Sequence, residues 1–193
     1  MRPSNRSRIL EAAIAVIERD GIAALTFDAV AAQADLTRGG IMYHFTSRAG
    51  LVAAIHEYQA DRWVAAHEEV LDSRLGGAEP SDTDRARAYL ESSSYSVSRA
   101  ELQLQLEAAG DPAVQEYWTT ASTRVLPPAP TDADDATRIR NLVAVLLADG
   151  LWIHEASAGR TLAPDVRRAV VEYARGVLDG EESSSHDHSP APH

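Results

Sequence analysis

Thr26-Phe-Asp-Ala-Val-Ala-Ala-Gln-Ala-Asp-Leu-Thr-Arg-Gly-Gly-Ile-Met-Tyr-His-Phe45 is the stretch that decides how this chain folds. Phe27, Val30, Ala31 and Ala34 recur at three- and four-residue intervals and give one apolar helix face. Thr26 stands just before them, where a hydroxyl caps free backbone N–H groups. Asp35-Leu36-Thr37 breaks the period: aspartate tolerates turn conformations, and Leu36 can plug the corner. Thr37 then caps a second helix, Arg38 to His44, whose Ile41 faces inward together with Phe45. Arg38, Gly39, Gly40, Met42, Tyr43 and His44 are left on the outer side.

Each glycine inside a helix costs about 1 kcal/mol relative to alanine, which a sequence tolerates where a partner must approach the backbone. A DNA duplex is such a partner, since its major groove admits a helix. Thr37, Arg38 and Tyr43 supply donors for phosphates and base edges. The same spacing also fits a helical pair inside any all-α protein, with Gly39-Gly40 as a turn.

Residues 7–55 resemble the DNA-binding domain of the TetR family of transcriptional regulators. The resemblance rests on Arg8-Ile9-Leu10-Glu11-Ala12-Ala13, on Gly21 and Leu25-Thr26, and on the block Leu36 to Phe45 followed by Ser47-Arg48 and Leu51. It is ungapped and correctly ordered, and covers roughly a quarter of the chain. The family often has a tyrosine where Met42 stands and a lysine where Arg48 stands. Arg48 keeps the charge; Met42 removes a phosphate hydrogen bond and offers a thymine-methyl contact instead. The resemblance implies an all-α fold of about nine helices. It implies a helix-turn-helix domain over 4–64, with the motif at about 27–46, and a helical ligand-binding and dimerisation domain over 65–179. It also implies a homodimer on a palindromic double-stranded DNA operator, released by a small-molecule inducer. Thr26, Thr37, Tyr43 and Arg48 are then candidates for positioning phosphates. Arg38, Gly39, Gly40, Met42 and His44 face bases, and Phe27 belongs to the same interface.

The net charge of −11 is unevenly divided. Residues 1–50 hold six arginines against five acidic residues, whereas 51–193 hold twelve against twenty-four. Acidity therefore sits away from the proposed DNA face. There is no cysteine, so disulfides and thiolate metal sites are excluded. No apolar run nears the roughly 18 residues of a membrane span, and the opening residues do not read as a signal peptide. A soluble cytoplasmic protein is expected, with no membrane partner and no cofactor.

The first helix is expected from about Ser4 or Asn5 to Asp20, with Arg2, Arg6 and Arg8 either a basic arm to DNA or a solvated terminus. A long helix should run from Arg48 to about Leu75, with Leu51, Ile55 and Tyr58 on the DNA-binding helices and Trp63, Val64, Val70 and Leu71 on a second domain. Further helices are expected over Asp82–Ser98, Arg99–Ala109, Pro112–Val125, Thr131–Ser157, and from Pro164 to about Val177. In the family the last two long helices pair with those of a second subunit. Residues 180–193 lack core formers and should be disordered, with His186 and His188 a solvated tail rather than metal ligands.

Trp63, His67, Tyr89, Ser93, Leu106, Tyr117, Trp118 and Trp152 are candidates to line a ligand pocket, or else ordinary core. His56, His67 and His154 read as pocket or core residues before they read as a metal site, and no metal is expected. No Ser/His/Asp arrangement, glycine-rich phosphate loop or His-Glu-x-x-His pattern points to an enzyme. The alternative function is a helical ligand-binding or enzymatic protein that keeps the fold without its use.

Overall fold

Residues 4–92, 98–108, 110–158 and 161–180 are described by the computed structural model, and among them all regular structure is helical. The elements are α1 (Asn5–Asp20), a single 3₁₀ turn (Ile22–Ala24), α2 (Phe27–Ala34), α3 (Arg38–His44) and α4 (Arg48–Leu75). There follow α5 (Asp82–Ser92), α6 (Arg99–Ala108), α7 (Pro112–Val125), α8 (Ala136–Ala158) and α9 (Pro164–Asp179). None of the described helices is long and apolar enough to cross a membrane. Arg2, Ser93 and residues 181–193, including His186 and His188, lie outside the described residues.

Local chemistry starts and stops the first elements. Ser4, Thr26, Thr37 and Ser47 each accept a backbone N–H three residues on, at 3.0–3.2 Å. Asp35 ends α2 in the left-handed conformation, φ 52°, and its backbone N–H returns to the last carbonyls of that helix. Arg8 donates to the Ala34 carbonyl at 2.9 Å, closing the same end.

Two apolar cores form. The first gathers Ile9, Leu10, Ala13 and Ile17 of α1, Val30 of α2, Ile41, Phe45, and Leu51 and Ile55 of α4. The second gathers Val64 of α4, Leu90 of α5, Val125 of α7, Val145 and Ala148 of α8, and Val171 and Leu178 of α9. The cores part company inside α4, between Ile55 and Ala60, so one helix belongs to both.

Two expected boundaries need correction. The helix expected over Asp82–Ser98 is described as far as Ser92, its residues 93–97 lie outside the described residues, and Ser98 is not helical. The Ser98 hydroxyl accepts the Glu101 backbone N–H at 3.3 Å, so it starts α6 rather than ending α5. The helix expected from Thr131 begins at Ala136. Asp132 turns the chain by accepting the Asp134 N–H, and Asp135 caps the helix through the Arg138 N–H, both at 2.9 Å.

α6 also does something periodicity did not suggest. Its Ala100 and Leu104 are fully buried in the first core, although the helix follows α5 in the chain. The Glu18 carboxylate of α1 accepts Ala100 N–H and the Ser98 hydroxyl at 2.7 Å, with Arg99 N–H at 3.3 Å. Gln103 accepts the Ile22 N–H at 3.2 Å. A negative charge at a helix N-terminus is favourable. Burial pushes the Glu18 carboxyl up, but these hydrogen bonds outweigh it and leave it below its ordinary 4.5. A depressed carboxyl contributes stability above its unfolded value and loses it as pH falls through the folded one. Glu18→Gln should therefore lower stability at neutral pH, and its difference from wild type should shrink as pH drops below 4.5. Urea melts of both proteins across that range test this; a constant difference would remove Glu18 as the titrating fastener.

Candidate functional site

α3 is fixed from behind and open in front. Ile41 is fully buried, which at about 1.5–3 kcal/mol for a side chain of this size pins the helix. Phe45 follows it into the core. On the outer side Tyr43 is 86 % exposed and Met42 46 %, with Arg38, Gly39 and His44 also exposed. Thr26 and Thr37 are exposed N-caps whose oxygens accept helix N–H groups, so each hydroxyl hydrogen remains able to donate outward. Arg38 donates to Asp28 at 2.6 Å, and both side chains are more than half exposed. A Cβ on Gly39 would meet only Thr37 Oγ1 at 3.9 Å, and one on Gly40 the same atom at 3.4 Å. Nothing among the described residues demands glycine there.

Two candidates serve this face indirectly. Phe27 is half-buried and packs on the first core. Arg48 donates to the Leu25 carbonyl at 3.1 Å and the Ile22 carbonyl at 2.9 Å, tying α4 to the turn before α2. Arg6 and Arg8 also engage the protein: Arg6 pairs with Glu57 at 3.2 Å and lies over the Phe45 ring, while Arg8 closes α2.

A second constellation lies in the larger domain. His56, Gln59 and Trp63 share a face of α4 at spacings of three and four. Gln59 donates to Glu101 of α6 at 3.3 Å, and Trp152 of α8 also hydrogen-bonds Glu101. One turn before Trp152, Asp149 accepts the hydroxyl of Tyr89 on α5. The Tyr89 ring stands 6.0 Å from Trp63, and Trp63 stands 6.1 Å from Trp118 of α7. The Trp118 indole N–H donates to His56 Nδ1 at 3.2 Å. The contacts thus return to α4 and close into a ring drawn from five helices.

Burial sets the electrostatics of this ring. It raises Asp149, opposed by the Tyr89 hydrogen bond, and raises Glu101, opposed by Gln59, Arg62 and Trp152. Burial lowers His56, against a weaker pull from Asp111. His67 continues the same α4 face; burial and Arg85 push it down to about 4, and neither ring nitrogen has a partner among the described residues. Among the described residues no group of three or more His, Asp or Glu could hold a metal ion.

Of the expected pocket residues, Trp63, Tyr89, Trp118 and Trp152 come together in the ring. Leu106 and Tyr117 do not. Leu106 is 69 % exposed, because two residues past buried Leu104 is about 200° round the helix. Tyr117 is exposed beside the inward stripe Val114, Trp118, Ala121 and Val125. Gln59, Glu101, Asp149 and Glu18 were missed by sequence reasoning, which took scattered carboxylates for surface charge.

Residues 9–55 match the model for bacterial regulatory proteins of the tetR family, and residues 83–178 match that for the tetracyclin repressor-like C-terminal domain. Among solved structures, the chain is similar to the multidrug binding protein EbrR complexed with malachite green. Identity is 26 % and the TM-score 0.54, over 93 % of this chain and 98 % of that one. It is also similar to a transcriptional regulator from Rhodococcus sp. Rha1, at 17 % identity and TM-score 0.64 over 92 % and 97 % of the two chains. A TetR transcription regulator from Haloarcula marismortui shares 16 % identity at TM-score 0.65, over 91 % and 97 %. These last two similarities speak for the fold. No curated protein matches the chain.

Proposed function

Because the chain belongs to the TetR family of bacterial transcriptional regulators, we propose that it is a ligand-responsive repressor, working in the cytoplasm as a homodimer on a palindromic DNA operator. The observation that carries the DNA reading is the outer face of α3. Exposed donors and an unshielded Gly39-Gly40 backbone stand on a helix whose other side is locked into the core. Arg38, Met42 and His44 would reach base edges, with Thr26, Thr37 and Tyr43 on phosphates.

Self-association is supported by exposed apolar side chains on the last two helices. Ile139, Val143, Leu146 and Ile153 recur at helical intervals along α8, and Val166 and Tyr173 along α9. Such a stripe fits a second copy better than water. Two copies would present two α3 helices to half-sites about one helical turn, or a multiple of it, apart.

Ligand response is supported by α6. It carries Glu101 in the ring, and the adjacent Ala100 is buried in the first core and held by Glu18. A ligand that binds better to one placement of α6 shifts the population of DNA-competent dimers. EbrR, of similar structure, is complexed with malachite green, and small-molecule binding is proposed for this chain by that likeness.

The test is a mobility-shift titration on the DNA flanking the gene, with random competitor, at two salt concentrations. A competitor-resistant shift that weakens steeply with salt is expected. Sedimentation of the same complex should give two protomers or a multiple. Absence of a specific shift there, and of any site enriched from random DNA, would sink the reading.

A further inference from the structure

Arg38 is the first residue of α3, and Asp28 lies in the first turn of α2. The Arg38 Nη1–H donates to Asp28 Oδ2 at 2.6 Å, so the pair spans the turn between the two helices. That is short even for a charge-assisted hydrogen bond. Yet the fold has little use for it. Both side chains are more than half exposed, a setting in which an ion pair adds little stability. A cation at the first residue of a helix also faces the positive end of the backbone dipole, so α3 gains nothing from an arginine there. Position accounts for the pair better than stability does. The opening residues of such a helix reach base edges, and the helix before it crosses the phosphate backbone.

The atoms engaged are informative. A guanidinium carries five N–H donors in one plane. Asp28 takes Nη1, at one corner, whereas Nε–H and Nη2–H have no partner among the described residues. Those two hydrogens lie side by side and point the same way. Such a parallel pair matches the O6 and N7 acceptors that guanine shows in the major groove. An untethered arginine samples many rotamers and settles on any phosphate within reach. Holding one corner removes much of that freedom, and the Asp28 charge repels phosphates. Wrong sequences then lose affinity that a guanine at the fork keeps, and specificity is that difference.

Resting on the DNA-binding reading above, we infer that Asp28 is a positioning residue for operator recognition. It holds the Arg38 guanidinium by Nη1 and presents the Nε–Nη2 edge to one guanine at a fixed position in each half-site.

DNA enriched from a random pool by wild type, Asp28→Ala, Arg38→Ala and the double variant tests this, with mobility shifts on single-base operator variants to supply affinities. Wild type should show one G·C pair per half-site whose preference Arg38→Ala removes. Asp28→Ala should cut discrimination at that pair by about tenfold and leave the other positions unchanged. Its binding to random DNA should rise. In the Arg38→Ala background, Asp28→Ala should change no base preference. An acid in the first turn also suits the dipole of α2, but that effect appears in thermal melts and moves no base preference. If Asp28→Ala does not fold, Asp28→Asn, which keeps the shape, should lose the same preference to a smaller degree. A folded Asp28→Ala with the guanine preference intact would overturn the inference, as would a loss spread evenly over all positions. A preference that Asp28→Ala still removes when Arg38 is absent would mean that the carboxylate reads a base itself, and would overturn it too. Failure of wild type to enrich any site would sink the DNA reading and this inference together. An enriched site without these effects would sink the inference alone.

Discussion

Arg38→Ala should fold as stably as wild type and bind its operator at least about thirty-fold more weakly, because a dimer loses the contact twice. One good side-chain contact to a base edge is worth about 1–3 kcal/mol, so the pair is worth about 2–6 kcal/mol. At about 1.4 kcal/mol per decade, that is a loss of about thirty-fold to 10⁴-fold. The cost to the fold is small, since the Arg38–Asp28 pair is exposed on both sides and such pairs contribute about 0–1 kcal/mol. Losing the arginine also leaves Asp28 facing the phosphates unneutralised. Tyr43→Ala should act in the same direction, because its ring is 86 % exposed and its removal opens no cavity. The two differ in kind: Arg38→Ala should relax sequence preference, whereas Tyr43→Ala should weaken all sequences alike. Gly39→Ala is the sharpest companion. A methyl there meets nothing closer than 3.9 Å among the described residues and favours helix, yet it stands where a groove floor would approach. It should keep or raise stability while weakening DNA binding. Wild-type affinity in all three variants, read by mobility shift beside thermal melts, would remove α3 from the interface.

The DNA-binding helices were legible in the sequence because their determinants are local. Thr26, Thr37 and Ser47 cap helices through bonds three residues long, and Ile41 and Phe45 share a face by spacing alone. The larger domain was legible only as helices. What makes its site is long-range pairing: Gln59 with Glu101, Tyr89 with Asp149, and Trp118 with His56 join residues 42, 60 and 62 apart. No period reveals which face of one helix will meet which face of another. Leu106 and Tyr117 were drawn into the pocket by residue type, but each sits one or two positions off the inward stripe and faces water. Ser98 misled for the opposite reason. A serine among serines reads as the end of a helix, whereas here it caps α6 and bonds a glutamate 80 residues earlier. Glu18 looked like solvated charge because its partners are backbone N–H groups, which sequence does not display.

Arg167→Ala should destabilise the larger domain by about 3–5 kcal/mol, the usual cost of stripping one partner from a buried ion pair. Glu155 is 2 % exposed, near the C-terminal end of α8. Its carboxylate accepts Arg167 Nε–H of α9 at 3.0 Å and the Leu162 backbone N–H at 3.0 Å. One carboxylate thus ties α8, the connection after it and the first turn of α9. Without the arginine, that charge stays buried with a single neutral donor. The opposite substitution should cost less. Glu155→Ala leaves Arg167, whose side chain is 19 % exposed, free to turn its guanidinium toward water. Replacing both, as Glu155→Leu with Arg167→Met, should recover most of the loss, since apolar residues of similar volume often match a buried pair. A domain holding about 5–15 kcal/mol in total loses a large share of it in the first variant, so urea melts of the three proteins separate the cases clearly. The loss should also reach function. α8 and α9 carry the exposed apolar stripes proposed to join two copies, and a loosened α8–α9 pair presents them less well. Arg167→Ala should therefore dissociate to protomers at higher concentration and need more protein to shift the operator. A stability within about 0.5 kcal/mol of wild type, the scale of an ordinary surface change, would show that water already reaches this pair.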